Sequence, residues 1–153
     1  MRKIDIGNRL FHILMPILLG TVIGIVFKDY TSYIDTLERT IKIPNIVFPI
    51  AWSILYILIG IWYDFFERDT DNNINKVIYY ILLFMNFLFT PVLFYFKQIV
   101  LALIIVVVLL IGNAYLLLKS YRYGKYSFLL IPYVLWLMFA LTLMFDLLIN
   151  NVL

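Results

Sequence analysis

The chain has 153 residues, of which 65% are hydrophobic and 14% charged, with a formal net charge of +3. Ordinary globular proteins carry about 45–50% apolar residues even when glycine is counted, so too few polar side chains remain here to cover a water-facing surface. No cysteine is present and His12 is the single histidine. Disulfides, thiolate or multi-histidine metal sites and cysteine nucleophiles are therefore excluded.

The charges fall at the ends or in clusters and leave five long uncharged stretches: Leu10–Phe27, Ile43–Tyr63, Val77–Phe96, Gln98–Leu118 and Tyr126–Phe145. At about 1.5 Å of rise per helical residue each stretch measures about 27–32 Å, the thickness of a bilayer's hydrocarbon core. The sequence therefore predicts an all-α integral membrane protein: one domain over residues 1–153, a bundle of five transmembrane helices. The spans fall at about 10–27, 46–66, 77–96, 98–118 and 126–149.

The first span follows Arg2, Lys3 and Arg9, as a signal peptide would. It is long, contains Pro16 and ends in Lys28-Asp29-Tyr30 without a small-residue cleavage site, so it reads as a retained helix. Gly20 and Gly24 form a small-xxx-small pattern on it, which suits close packing inside the bundle or a homodimer contact. The connection from Lys28 to Pro44 is the longest between spans, with balanced charge and two tyrosines, Tyr30 and Tyr33. Loops of that length in compact folds are either lids or passive connectors.

On the second span Phe48, Trp52 and Tyr56 recur at i, i+4 and i+8 and so share one face. Asn86 lies near the middle of the third span, where an amide needs partners that hydrocarbon does not offer. It either fixes packing or orients a ligand, and Asn113 in the fourth span poses the same choice. Only Lys97-Gln98 separates the third and fourth spans, which makes them antiparallel neighbours. The fifth carries Trp136, Phe139, Ala140 and Leu143 on one face, with a small residue beside bulky ones. Asp64, Asp146 and His12 lie near span ends and read as interfacial groups.

The side bearing the N-terminus, residues 66–76 and residues 119–125 holds eight basic residues, against four on the other side. An excess of Lys and Arg marks cytoplasmic loops, so the N-terminus is expected in the cytoplasm and the C-terminus outside. The basic residues sit in short loops, which suits lipid headgroups and not nucleic acid. Frequent Ile, Lys, Asn and Tyr suit an AT-rich bacterial genome, and hence a bacterial cell membrane. Measured along the helices, Trp52 lies roughly 9 Å below Ile46, Phe89 roughly 10 Å below Phe96, and Asn86 and Phe139 roughly 15 Å deep. Aromatic rings and one amide thus gather beneath the long loop, a setting for a flat apolar ligand.

Three segments carry a family resemblance. Phe48-Pro-Ile-Ala-Trp52-Ser-Ile-Leu-Tyr56-Ile-Leu-Ile-Gly60 is similar to F-P-x-x-W-x-x-L-Y-x-x-x-G. Asn86-Phe-Leu-Phe89-Thr-Pro91-Val-Leu-Phe94 is similar to N-x-x-W-[ST]-P-x-F-F, with phenylalanine in the tryptophan place. Pro132-Tyr133-Val-Leu-Trp136-Leu-Met-Phe139-Ala140-Leu-Thr-Leu143 is similar to P-Y-x-x-W-x-x-F-A-x-x-L. Together they resemble the tryptophan-rich sensory protein/translocator protein family, TspO/MBR.

The resemblance implies five helices around a ligand cavity near the first loop. It also implies binding of porphyrins such as protoporphyrin IX, and a role in tetrapyrrole transport, sensing or breakdown. Carried over by position, the ligand site would comprise Tyr33 from the loop, Phe48, Trp52, Tyr56, Asn86, Phe89, Trp136, Phe139, Ala140 and Leu143. Pro44 and Pro49 would shape its rim. Ser32, Ile46 and Phe89 stand where the family has tryptophan, and only Trp52, Trp62 and Trp136 remain. No catalytic residue, metal or resident cofactor is expected; an enzymatic role would be light- and oxygen-dependent porphyrin degradation, its chemistry supplied by the photoexcited ligand. A third reading is a structural membrane protein with no small ligand.

Overall fold

A computed structural model of the chain describes residues 6–70 and 72–153. Arg2 and Lys3, counted above on the N-terminal side, lie outside the described residues. The helices are α1 (Ile6–Val26), α2 (Val47–Asp69), α3 (Asn73–Thr90), α4 (Ile99–Tyr121) and α5 (Ile131–Asn151). A 3-10 segment, Lys28–Thr36, follows α1, and a second, Lys125–Leu130, leads into α5. No strand occurs among the described residues. All five helical stretches are long and apolar enough to cross a membrane. The chain is an integral membrane protein and its solvent is the lipid bilayer.

Local sequence explains the joints. The Asn72 side chain accepts a hydrogen bond from the Ile74 N–H at 3.0 Å and so caps α3, supplying an acceptor for one of the four amides a helix start leaves free. At the other end Pro91 has no N–H to give, and the backbone widens into a π turn over Pro91–Tyr95. The Phe96 N–H then reaches the Pro91 carbonyl at 2.9 Å. Lys97 takes a left-handed conformation, φ 56°, to reverse the chain into α4. Helices α3 and α4 are antiparallel neighbours, as their short connection requires.

Around the bundle the order is α1, α2, α5, α4, α3, with α3 returning to α1. The seam between α2 and α5 is the loosest. The main chains there touch sparsely, and the segment Lys125–Leu130 wedges between α2 and α4 at one end. The core is richest in rings at that same end. Trp62 stacks on Phe66 at 4.8 Å and Tyr63 on Tyr79 at 3.7 Å, all fully or almost fully buried.

Helix α1 is the least buried of the five, so its few inward contacts matter most. Gly60 lets it approach: a methyl group there would come within 2.7 Å of the His12 carbonyl oxygen. Beside this contact lies a charge cluster that the spacing of the sequence does not reveal. Asp64, near the end of its span, is only 2% exposed, and it meets Arg68 at 2.6 Å, Arg9 at 3.4 Å and His12 at 3.7 Å. His12 is also buried, with Nε2 3.2 Å from Glu67 and its ring edge-on to Tyr63. A lone carboxylate is costly in hydrocarbon. The cluster turns it inward toward cationic partners from two helices.

Gly20 of the small-xxx-small pattern faces the bundle, since an added methyl would overlap the Tyr56 ring. Gly24 faces open space. The pattern is thus divided between an internal contact and a free surface.

Candidate functional site

The long loop, the α3–α4 turn and the C-terminal end of α5 meet at one end of the bundle. Beneath them, on the α2–α5 seam, lies a chain of aromatic rings. Phe48 meets Trp136 edge-on at 6.1 Å, and Trp136 meets Trp52 at 6.3 Å. Trp52 stacks on Tyr56 at 5.3 Å and touches Tyr133 at 6.2 Å. Phe139 extends the row from Trp136 at 5.6 Å. Helical periodicity puts Phe48, Trp52 and Tyr56 on one stripe of α2 and Tyr133 and Trp136 on a facing stripe of α5.

The rings are graded in exposure. Tyr56 and Tyr133 are buried, Phe48, Trp52 and Trp136 half-buried, and Phe139 is 37% exposed. By contrast Trp62, the third tryptophan, is fully enclosed in the core. Two indoles out of three therefore stand at an accessible seam. Rings so placed can stack on a flat ligand, because each retains surface not covered by a neighbour.

Asn86 closes the buried end of the row. Its side-chain N–H donates to the Tyr56 hydroxyl oxygen at 3.3 Å, and its Oδ1 is buried with no hydrogen-bond partner. Tyr56 in turn touches Phe87 at 5.7 Å. Asn113, the other amide within a span, donates to the Leu109 carbonyl at 2.8 Å. It lines a small void with Tyr79 and Tyr133, large enough for about one water.

Six of the ten sequence-predicted site residues thus join one contiguous set through the contacts above: Phe48, Trp52, Tyr56, Asn86, Trp136 and Phe139; Ala140, next to Phe139 on α5, is half-buried against the core. Phe89 is half-buried and packs against the core from α3 without a ring contact to the row. Leu143 is half-buried one turn beyond Phe139. Tyr33 stands apart, its ring under the Lys97 ammonium at 5.2 Å. Two members were missed, Tyr133 and Phe87. Tyr133 sits one helical turn before Trp136, and that i, i+3 spacing was the available signal. Among the described residues, no group of three or more His, Asp or Glu is arranged to hold a metal ion.

Comparison with known proteins agrees with this architecture. The TspO/MBR family model matches residues 12–149. Over 113 residues the chain is 32% identical to the tryptophan-rich protein TspO of Archaeoglobus fulgidus, a stretch covering 71% of this chain and 72% of that relative. With five apolar spans, the ring-bearing motifs of α2 and α5 and a family match over nearly its whole length, the chain belongs to the TspO/MBR family.

Proposed function

We propose that the protein binds a porphyrin-type tetrapyrrole on the α2–α5 seam beneath the long loop, and serves its transport, sensing or breakdown. The observation that carries this reading is the row Phe48–Trp136–Trp52–Tyr56, half-exposed at one end and buried at the other. Trp52 and Trp136 meet at 79°, so a macrocycle would stack on the open face of one indole and take the edge of the other. The unpartnered Oδ1 of Asn86 offers an acceptor to a donor on the ligand's periphery, such as a protonated carboxyl, which would relieve the cost of leaving it buried and unpaired. Ala140 and Leu143 would continue the α5 wall of this site, with Phe89 beside it on α3 and Pro44 and Pro49 at its rim, while Tyr33, held against Lys97, would lie outside the ring row.

A titration with protoporphyrin IX in nanodiscs, in the dark, tests the reading through quenching of tryptophan emission. Saturable quenching is expected. Trp136→Ala should weaken affinity about tenfold, since one stacked ring contributes on the order of 1.4 kcal/mol with its area. Undiminished affinity in that variant sinks the proposed site, and absence of saturation sinks the ligand class. Repeating the titration under light separates binding from breakdown: a new absorbing product that depends on Trp52 marks the enzyme.

A further inference from the structure

At the end of the bundle opposite the long loop, His12 stands among charges that the ring row does not use. The imidazole is 6% exposed and faces two carboxylates of α2. Its Nε2 lies 3.2 Å from Glu67 Oε2. Its Nδ1 lies 3.7 Å from Asp64 Oδ1, sealed from solvent and without a hydrogen-bond partner. A neutral imidazole has one N–H and one lone pair, so it serves one carboxylate and turns a lone pair on the other. Only the protonated ring donates from both nitrogens. With a proton on each, a small closure from 3.7 Å to hydrogen-bond length gives Nδ1 the partner it lacks.

The titratable and charged groups around the ring come from three helices. Arg9 of α1 and Arg68 of α2 reach Asp64, and Lys76 of α3 lies 3.8 Å from Glu67. Tyr63 of α2 meets His12 edge-on at 5.0 Å, with Tyr79 and Tyr80 of α3 against it. The three cationic side chains are partly open to water, which screens them, whereas those of His12 and Asp64 are almost fully buried.

Helix α1 depends on this contact more than a deeply packed helix would, being the least buried of the five. Pro16 has no N–H for the His12 carbonyl four residues back, so α1 lacks a backbone bond at this turn. The same carbonyl lies where α1 approaches Gly60. Roughly 12 Å further along the axis, Gly20 rests on the Tyr56 ring, which bonds Asn86 and stacks on Trp52.

We propose that His12 is a proton-binding site whose protonated form ties α1 to Asp64 and Glu67 of α2 and so fixes the seat of Gly20 against Tyr56. While the carboxylates stay ionised, the tie is complete when the ring is protonated. It is lost as rising pH removes the proton and leaves a lone pair facing a carboxylate. By linkage, whatever holds Gly20 on Tyr56 also tightens proton binding, a ligand on the ring row included. That such a ligand is a tetrapyrrole rests on the function proposed above. The proton site does not.

His12 is the single histidine, so isotope-labelled histidine gives one imidazole to follow by nitrogen NMR. The full-length protein, purified without a polyhistidine tag and placed in nanodiscs, is titrated from about pH 5 to 8, where histidine changes charge. Both ring nitrogens should carry protons at the acid end, and one should lose its proton within the range. Protection of the α1 amides from hydrogen exchange, corrected for intrinsic rates, should fall in step by at least about fivefold, the low end of coupling between linked sites. His12→Gln, which keeps a donor but does not titrate, should abolish that step. Glu67→Gln, which leaves Asp64 and its arginines in place, should move the histidine titration to lower pH. A ring that keeps one protonation state, protection that ignores the titration, or a step that survives in His12→Gln would overturn the proton site. Where protoporphyrin IX binds, its affinity should weaken toward the alkaline end more in the wild type than in His12→Gln, by about fivefold on the same coupling. Equal pH dependence in the two proteins would overturn the link to Tyr56. If porphyrin fails to bind while protection responds as stated, the proton site stands and the proposed ligand falls.

Discussion

At the scale of single residues, the sharpest departure from what the charge pattern suggested is Asp64. Its position near a span end, four residues before Arg68, is visible in the sequence. Which way the carboxylate turns depends on Arg9 and His12, more than fifty residues earlier on another helix, and no spacing rule reaches that far. Removing one member of a buried ionic cluster leaves the others uncompensated, at a cost of about 3–5 kcal/mol. Asp64→Ala should therefore lower stability by about 3 kcal/mol, part of the loss being offset because Arg9 and Arg68 can turn toward water. Asp35→Ala removes an exposed i, i+4 pair with Arg39 and should change almost nothing. Unfolding of both variants in detergent micelles checks the contrast; equal effects would mean that the cluster adds no more than a surface pair does.

Between elements, the ring row divides into what spacing can say and what it cannot. The stripe Phe48, Trp52, Tyr56 follows from helical periodicity alone, and so does the partnership of Trp136 with Phe139. The contact of Trp52 with Tyr133 follows from the height at which α2 and α5 pass each other. Residues 38–41 are bonded to Asp146 and Asn151 of α5 before α2 begins, an offset that the sequence does not express. The same limit applies to the glycines of α1. Gly20 and Gly24 are equivalent as a pattern, yet one meets the Tyr56 ring and the other meets nothing. Gly20→Ala should displace that ring, disturb its stacking on Trp52 and its bond to Asn86, and cost about 1–3 kcal/mol as an overpacked contact. Gly24→Ala should be neutral, or stabilising by up to about 1 kcal/mol through helix propensity. Thermal unfolding with tryptophan emission separates the two. Equal effects would mean that the α1–α2 approach does not depend on Gly20.

For the whole molecule, the five spans were legible because each uncharged stretch matches the thickness of hydrocarbon, a constraint imposed by the solvent and indifferent to tertiary detail. The cyclic order α1–α2–α5–α4–α3 was not, since a short connection does not settle it: α3 and α4 pack side by side, whereas α2 and α3, separated by as few residues, do not follow each other in the ring. The order nevertheless sorts the ends: the long loop, Lys97 and the C-terminal turn of α5 share one side, as Tyr33–Lys97 and Glu38–Asn151 require. Four basic residues lie there and, among the described residues, six on the opposite side; the count over the whole sequence is eight against four. A bias of this kind orients short loops during insertion, because Lys and Arg are retained in the cytoplasm while Asp and Glu contribute little. The long loop should accordingly face away from the cytoplasm. In the cysteine-free chain, single cysteines at Asp35 and Val152 should react with a membrane-impermeant maleimide added outside intact cells. Cysteines at Asp69 and Tyr123 should react only after the membrane is opened. The reverse pattern would put the site on the cytoplasmic side, and equal labelling of all four would mean that eight against four is too small a bias to choose one orientation.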